Sequence, residues 1–261
     1  MNNLFDIACN FSSERFDKDL DLVIERAQHN GVNKFLLVSA SLSDFNKIHQ
    51  IHMNYFDNSY FTIGVHPHHA NEINNDEIKK MKEMIVKYNP SCVGETGLDF
   101  FRNISTPEEQ LYAFEEQIKL AIEFNKPLYL HQRDSHEEFI KVVKPYKNLL
   151  PKCVVHCFTG TQSELDDYLE LGFFIGLTGW ICDERRNVEL RKSIKNIPTD
   201  RLMIETDCPY LIPRNLENKP KNNRNEPSYL PHIAKEVADL MNMEAGELSD
   251  ITFKNSMNFF N

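Results

Sequence analysis

The chain has 261 residues, of which 41% are hydrophobic and 26% are charged, a balance typical of a globular protein. Its formal net charge of −10 excludes a broad basic surface for gripping nucleic acid, but it is compatible with a small site where divalent metals supply positive charge. Six cysteines without a C-x-x-C pair, no apolar run of membrane length and no secretory signal predict a cytoplasmic protein with buried free thiols.

Short apolar runs rich in β-branched and aromatic residues alternate with segments of helical spacing. The pattern predicts eight strands, at 4–9, 34–39, 60–65, 92–94, 127–131, 153–157, 173–177 and 202–206. It predicts helices at 17–30, 76–88, 107–125, 184–196, 228–242 and 245–259. Pro107 suits the first turn of the third of these helices, with Ser105 or Thr106 as its N-cap. Gly31 and Gly172 fit left-handed caps after helices.

Strands that alternate with helices predict an α/β fold with a parallel sheet. We expect a closed (β/α)8 TIM barrel, formed by one domain over residues 1–261. An open doubly wound sheet is the alternative, but no G-x-G-x-x-G fingerprint follows the first strand. The proline-rich segment 210–231 after the eighth strand is irregular, and a loop of that length is usually functional.

Five of the predicted strands end at a histidine or a carboxylate. These residues are His66, Glu95, His131, His156 and Asp207. Each one alone is more simply a cap or a turn former, but the strands of a parallel barrel all open onto one mouth, where active sites lie. Burying these groups together without a cation would be costly. Imidazoles and carboxylates together suit Mg²⁺, Mn²⁺ or Zn²⁺.

Seven motifs together resemble the TatD family of metal-dependent deoxyribonucleases, and in particular its TatD branch. They are GVHPH (64–68), GETGLDF (94–100), HQRD (131–134), HCFTG (156–160), GWICDERR (179–186), IETDCPYLIPR (204–214) and RNEPSYLPHI (224–233). The resemblance covers essentially the whole chain. It implies a (β/α)8 fold, divalent metals, and 3′ to 5′ removal of nucleotides from single-stranded DNA or RNA, with a role in DNA repair or degradation. It also implies that Glu95, His131 and His156 are metal ligands and that Asp207 is the active-site aspartate.

The end of the first strand departs from the family pattern. Many relatives carry an H-x-H pair there, whereas this chain has Ala8 and Asn10. Because neither residue replaces a histidine ligand well, the number and position of the metals stay open, and we expect one firmly held ion and a second that arrives with substrate. Mg²⁺ fits an oxygen-rich, partly open site better than Zn²⁺, with Mn²⁺ and Zn²⁺ as alternatives.

Further residues near the strand ends are candidates for catalysis and substrate contact. We expect Glu95 and Asp207 to be catalytic and to belong to the metal site, with Asp207 taking a proton from the attacking water. The substrate-binding candidates are His66, His68, Arg133, Asn10, Trp180 and Arg185, with Arg186 beside the last of them.

Bland alternatives stay open for three of these candidates. Arg133 can instead form a salt bridge to Asp134 or Glu137. Arg185 can pair with one of three acidic residues: Asp183, Glu184 or Glu189. Trp180 can pack the top of the barrel instead of stacking a base.

The sequence therefore predicts a monomeric, metal-dependent phosphodiesterase that acts on single-stranded DNA or RNA, with no membrane and no obligate protein partner. One alternative is a metal-dependent amidohydrolase or lactonase, against which Glu95 counts because it stands where such enzymes often carry a bridging lysine. The other is a nucleic-acid binder without turnover. Metal-dependent release of nucleotides separates the three.

Overall fold

The computed structural model describes residues 3–185 and 187–261, and its eight strands form one parallel sheet in chain order. The strands are β1 (Leu4–Cys9), β2 (Val32–Leu37), β3 (Ser59–Ile63), β4 (Cys92–Asp99), β5 (Leu128–Arg133), β6 (Cys153–Val155), β7 (Phe174–Leu177) and β8 (Leu202–Ile204). The helices are α1 (Leu20–His29), α2 (Phe45–Asn54), α3 (Asn75–Tyr88), α4 (Pro107–Phe124), α5 (His136–Val143), α6 (Gln162–Glu170), α7 (Val188–Ser193), α8 (Leu230–Met241) and α9 (Ala245–Phe260). The predicted (β/α)8 TIM barrel is confirmed.

Local signals in the sequence account for several element ends. Thr106 caps α4 through a reciprocal capping box with Glu109, and Pro107 occupies the first turn. Gly31 and Gly172 have positive φ angles of 84° and 78°, as the predicted caps require. Thr106 and Pro107 thus begin a helix, and Gly31 and Gly172 follow the ends of helices, each between two consecutive strands of the sheet.

Strand β4 is longer than its predicted range, 92–94, because its glycines allow close approach of neighbouring strands. Gly97 has φ of 145°, and a Cβ there would lie 1.9 Å from the carbonyl oxygen of His131 on β5. The register of the β4–β5 pairing shifts between Val93 and Thr96. Glu95 therefore lies at this irregularity inside β4, and the strand continues beyond it.

The barrel closes where β1 meets the end of β8. Cys9 and Cys208 form a parallel bridge, and the amide of Asn10 donates to the carbonyl of Cys208 at 2.9 Å. Deeper in this seam the buried Asp6 carboxylate accepts from the Thr206 amide at 2.9 Å and from the Thr206 hydroxyl at 2.5 Å. This seam joins the two ends of the sheet, which separates a closed barrel from the open alternative.

The cysteines are all free, as predicted, and five of the six are buried. Asp6, Cys9 and Cys208 lie close enough together to hold an ion. Burial raises the pKa of both thiols, which keeps them protonated, and both Asp6 oxygens already accept hydrogen bonds. The seam is therefore a structural joint. Within residues 3–185 and 187–261, none of the helices has the length and apolar character needed to cross a membrane.

We predict that Asp6 makes stability depend on pH. Burial raises its pKa from 3.8 to about 7, although hydrogen bonds from Thr206 and Ala8 lower it. Below its unfolded pKa such an acid is neutral in both the folded and the unfolded state and costs no stability. As pH rises toward the folded pKa, the unfolded state ionises first, so the free energy of unfolding decreases. The free energy of unfolding of Asp6→Asn should therefore increase relative to that of the wild type by roughly 2–3 kcal/mol between about pH 5 and about pH 7.5. Urea unfolding at both pH values measures this, and a constant difference would contradict it.

Candidate active site

The mouth of the barrel holds a cavity of about 410 Å³ that is lined by residues from the ends of many strands. All five strand-end residues predicted from the sequence line it: His66, Glu95, His131, His156 and Asp207. The cavity walls also include Asn10, His68, Arg133 and Trp180, which were predicted to bind substrate. The fold thus brings together residues separated by almost 200 positions in the chain.

One oxygen of Glu95 is the centre of this constellation. Its Oε1 atom lies 2.7 Å from His156 Nε2, 2.9 Å from His131 Nδ1 and 3.4 Å from His66 Nε2. Burial raises the pKa of Glu95, but His156 and His66, together with hydrogen bonds from His131, hold it well below its ordinary value. Glu95 is therefore an anionic donor in a buried position.

His131 and His156 turn one nitrogen each toward Glu95 and the other toward a carboxylate behind it. His131 Nδ1 and His156 Nε2 are 3.3 Å apart. On their far sides, His131 Nε2 lies 3.7 Å from Asp99 Oδ2 and His156 Nδ1 lies 3.5 Å from Glu205 Oε1. A protonated nitrogen that faces a carboxylate leaves the other nitrogen with a free lone pair, as in carboxylate–histidine–metal sites.

The charge balance of this cluster fits a divalent cation. Burial lowers the pKa of both His131 and His156, but the carboxylates beside them outweigh it and raise the two values above the ordinary range. Three possible metal-ligand atoms therefore lie close together: Glu95 Oε1, His131 Nδ1 and His156 Nε2. Without a metal, protons between these atoms offset their mutual repulsion. A divalent ion can replace those protons, since imidazole and carboxylate are ligands that it accepts.

His66 has a different hydrogen-bond pattern from the other two histidines. Its Nδ1 accepts from the amide of His68 at 3.1 Å. Burial lowers the pKa of His66 well below its ordinary value, so the ring is neutral and carries its proton on Nε2. Although His66, Glu95 and His131 are close enough to hold an ion together, a protonated Nε2 has no lone pair to offer. The geometry favours His66 as a donor toward substrate.

Asp207 and Asn10 are joined across the seam of the barrel. The Asn10 amide donates to Asp207 Oδ1 at 2.9 Å and to the Cys208 carbonyl at 3.1 Å. Burial raises the pKa of Asp207 to about 7, with His156 lowering it and Glu95 raising it. Asn10, predicted to bind substrate, lines the cavity and also orients Asp207 through its side-chain amide.

The remaining substrate-binding candidates differ in position. The guanidinium of Arg133 lies over the Phe101 ring, 4.0 Å from its centroid, instead of against an acidic neighbour. Trp180 both packs against the core and lines the cavity. Arg185 does not line the cavity, because Asp183 holds its guanidinium through a 3.1 Å contact. Arg186 lies outside the described residues.

Two residues of the site were missed by the sequence interpretation. Asp99 accepts from His68 at 2.7 Å, and Glu205 accepts from the Tyr129 hydroxyl at 3.2 Å and from the Cys157 amide. Both are buried charges at strand ends, the same signal that identified Glu95 and Asp207. Each shares its motif with another acidic residue that was already assigned to the site, since Asp99 follows Glu95 in GETGLDF and Glu205 precedes Asp207 in IETDCPY.

Comparisons with known proteins agree with this geometry. The sequence profile described as "TatD related DNase" matches residues 5–261. A protein of Erwinia tasmaniensis named "3'-5' ssDNA/RNA exonuclease TatD" is 44% identical over 258 residues, covering 99% of this chain and 100% of the relative. A protein of the same name from a Rahnella strain is 46% identical over 257 residues, covering 98% of each.

Solved structures match over the same extent. A TatD family hydrolase from Entamoeba histolytica superposes with a TM-score of 0.89 at 29% identity, covering 100% of this chain and 99% of that one. A TatD homologue from Escherichia coli K12 superposes with a TM-score of 0.90 at 26% identity, covering 99% and 98%. The similarity therefore extends over the whole barrel and its mouth.

We predict that Glu205 positions His156 for the metal. Glu205→Gln keeps the shape of the side chain but removes the charge that faces His156 Nδ1. Metal affinity, measured by calorimetric titration, should fall by about 10- to 100-fold. Glu115→Gln is a matched control, since Glu115 also accepts from a tyrosine hydroxyl, that of Tyr146, but on the outer helix α4. Equal affinities in the two variants would contradict this role.

We also predict that metal binding releases protons. The carboxylates beside His131 and His156 raise the pKa of both rings, which favours their protonated forms, and the ion must displace the protons on the ligating nitrogens. Metal affinity should therefore increase as pH rises toward neutrality. Calorimetry in two buffers with different ionisation enthalpies counts the protons released, and a binding heat that is independent of the buffer would refute the prediction.

Proposed function

The chain belongs to the TatD related DNase family, and from this membership and the geometry of the mouth we propose that it is a metal-dependent 3′ to 5′ exonuclease of single-stranded DNA and RNA. The observation that carries the proposal is the convergence of Glu95 Oε1, His131 Nδ1 and His156 Nε2 beside Asp207 in one open cavity. The names of the relatives that match over nearly the whole chain support the substrate and the polarity.

Glu95, His131 and His156 are the residues that we propose to hold the metal, with Asp207 at its edge. The donors form a mixed nitrogen and oxygen set in a partly open site, and Mg²⁺ is our proposal for the ion, with Mn²⁺ and Zn²⁺ as alternatives. A divalent ion bound there would polarise the scissile phosphate and acidify water.

The protein's own groups divide the remaining work. Asp207, whose pKa is raised to about 7, is partly ionised at neutral pH and can take a proton from the attacking water. Asn10 orients it through the 2.9 Å hydrogen bond. The Nε2–H of His66 and the guanidinium of Arg133 are available to donate to phosphate oxygens as negative charge develops.

The charge of the chain is consistent with this division. A chain with net charge −10 does not attract polyanions over its whole surface, so it must bind them through local groups. Arg102 and Arg133 both line the cavity and bring guanidinium groups to the proposed substrate site. Trp180 offers an aromatic face in the same cavity, and we propose that it contacts the substrate there.

Several expectations go beyond this proposal. A single domain over residues 1–261, a monomeric state, a contact of Arg185 with substrate and a role in DNA repair stay predictions. The amidohydrolase alternative loses support because the relatives that match over nearly the whole chain are named exonucleases.

Digestion of a 5′-labelled single-stranded oligonucleotide tests the proposed function. We expect a shortening ladder with Mg²⁺ and none with EDTA, because cleavage needs the ion. Asp207→Asn should lower kcat by about 10²- to 10⁴-fold, the usual contribution of a general base. Asp250→Asn, at an exposed position on α9, is the matched control and should retain full activity.

An intact oligonucleotide with Mg²⁺, Mn²⁺ and Zn²⁺ would refute the exonuclease. Hydrolysis of cyclic amides or lactones by the same preparation would then support the amidohydrolase. A shift of the oligonucleotide in a gel without cleavage would support a binder.

A further inference from the structure

Two large aromatic side chains stand exposed at the mouth of the barrel. Phe101, in the turn after β4, is 58% exposed, and Tyr210, in the turn after β8, is 55% exposed. Apolar rings that remain in water cost free energy unless a ligand covers them, although single exposed residues are common. Their position is what distinguishes these two, because each one flanks the proposed metal site.

The topology places the two rings on opposite sides of that site. The sheet runs from β1 to β8 in order and closes through the Cys9–Cys208 bridge. In a closed barrel of eight strands, β4 and β8 are four strands apart in either direction, so they face each other across the mouth. A ligand that crosses the site from one turn to the other meets Phe101 at one side and Tyr210 at the other.

The turn that carries Phe101 is fixed by hydrogen bonds. The Phe100 amide donates to the Arg133 carbonyl at 3.0 Å, which ties the turn to the end of β5. The Arg102 amide donates to Asp99 Oδ1 at 2.9 Å. Arg133 lies over one face of the Phe101 ring at 4.0 Å, so ring and guanidinium form one stacked shelf. This shelf borders the cavity that Arg133 and Arg102 line.

Tyr210 is held just as firmly on the other side. Its amide donates to the Asp207 carbonyl at 2.9 Å, so the ring follows the proposed general base by three residues. Tyr210 and Leu211 line the cavity, and the Leu211 carbonyl lies so close to Gly179 that a Cβ there would be 2.4 Å away. The turn after β8 is therefore packed against the turn after β7 and presents its aromatic face to the mouth.

We propose that Phe101 and Tyr210 are stacking platforms for two nucleobases of a single strand, one on each side of the scissile phosphate. The inference rests on the proposed function for the position of that phosphate. Single-stranded nucleic acid alternates flat apolar bases with anionic phosphates. The mouth offers the matching order of an aromatic face, a centre that holds the Arg133 guanidinium and the proposed metal ligands, and a second aromatic face. Within a duplex each base stacks on its neighbours in the helix, so its faces are not free for such a platform, and the arrangement selects single strands.

Affinity for a fluorescein-labelled single-stranded deoxythymidine oligonucleotide, measured by anisotropy with Mg²⁺ in the Asp207→Asn background, tests the platforms. Phe101→Ala and Tyr210→Ala should each raise Kd by about five- to 150-fold, the range for loss of one stacked base. Phe101→Tyr and Tyr210→Phe should restore the affinity, because they keep the ring. Phe56→Ala is the matched control: that ring is 65% exposed but precedes β3, at the opposite end of the barrel.

An oligonucleotide with abasic residues at its 3′ end separates stacking from a purely structural effect. The parent protein should bind it more weakly than the intact strand, whereas the double variant Phe101→Ala, Tyr210→Ala should bind the two strands alike. A Kd for either alanine variant that equals the Phe56→Ala value overturns the two-sided platform. If the wild type does not cleave but the Kd values change as expected, the stacking proposal is supported and the exonuclease activity is refuted. If the wild type cleaves but the Kd values of the alanine variants are unchanged, the exonuclease activity is supported and the stacking proposal is refuted.

Discussion

A single buried carboxylate oxygen, Glu95 Oε1, is the point around which the mouth of this barrel is organised. Three imidazoles approach it within 3.4 Å, and the charge and hydrogen bonds of His131 and His156 keep it ionised in a position where burial alone would raise its pKa. Burying these charged groups costs desolvation free energy, and two protonated imidazoles at this distance repel each other. These groups form a candidate site for a divalent cation, which could take the place of the protons between them.

Two further carboxylates, Asp99 and Glu205, orient the histidines of this cluster. Asp99 faces His131 and Glu205 faces His156, each on the side away from Glu95. His66 uses Nδ1 to accept from the backbone, and its Nε2–H faces the cavity and Glu95, where we propose that it meets the substrate. Histidines that look alike in the sequence thus acquire different roles from the atom that lies behind each ring.

The seam between β1 and β8 links stability to catalysis. Asp6 joins the strands at depth through Thr206, and Asn10 joins them at the mouth through Asp207. Although Ala8 and Asn10 offer no imidazole ligand at the end of the first strand, that strand still contributes to the site. Its polar groups close the barrel and orient the proposed base, while the proposed metal ligands come from β4, β5 and the end of β6.

The sequence by itself determined the eight-fold alternation, the class of fold and the strand-end residues, because period, caps and polar interruptions are local properties of the chain. It could not reveal that Arg133 stacks on Phe101, that Asp183 holds Arg185, or that Asp99 and Glu205 stand behind the two histidines. Those pairs are set by which strands adjoin and how β4 bends at its glycines, and β4 itself extended past its predicted end for the same reason. Tertiary structure alone decided them, since the tautomer and charge of a side chain depend on neighbours that are distant in the sequence.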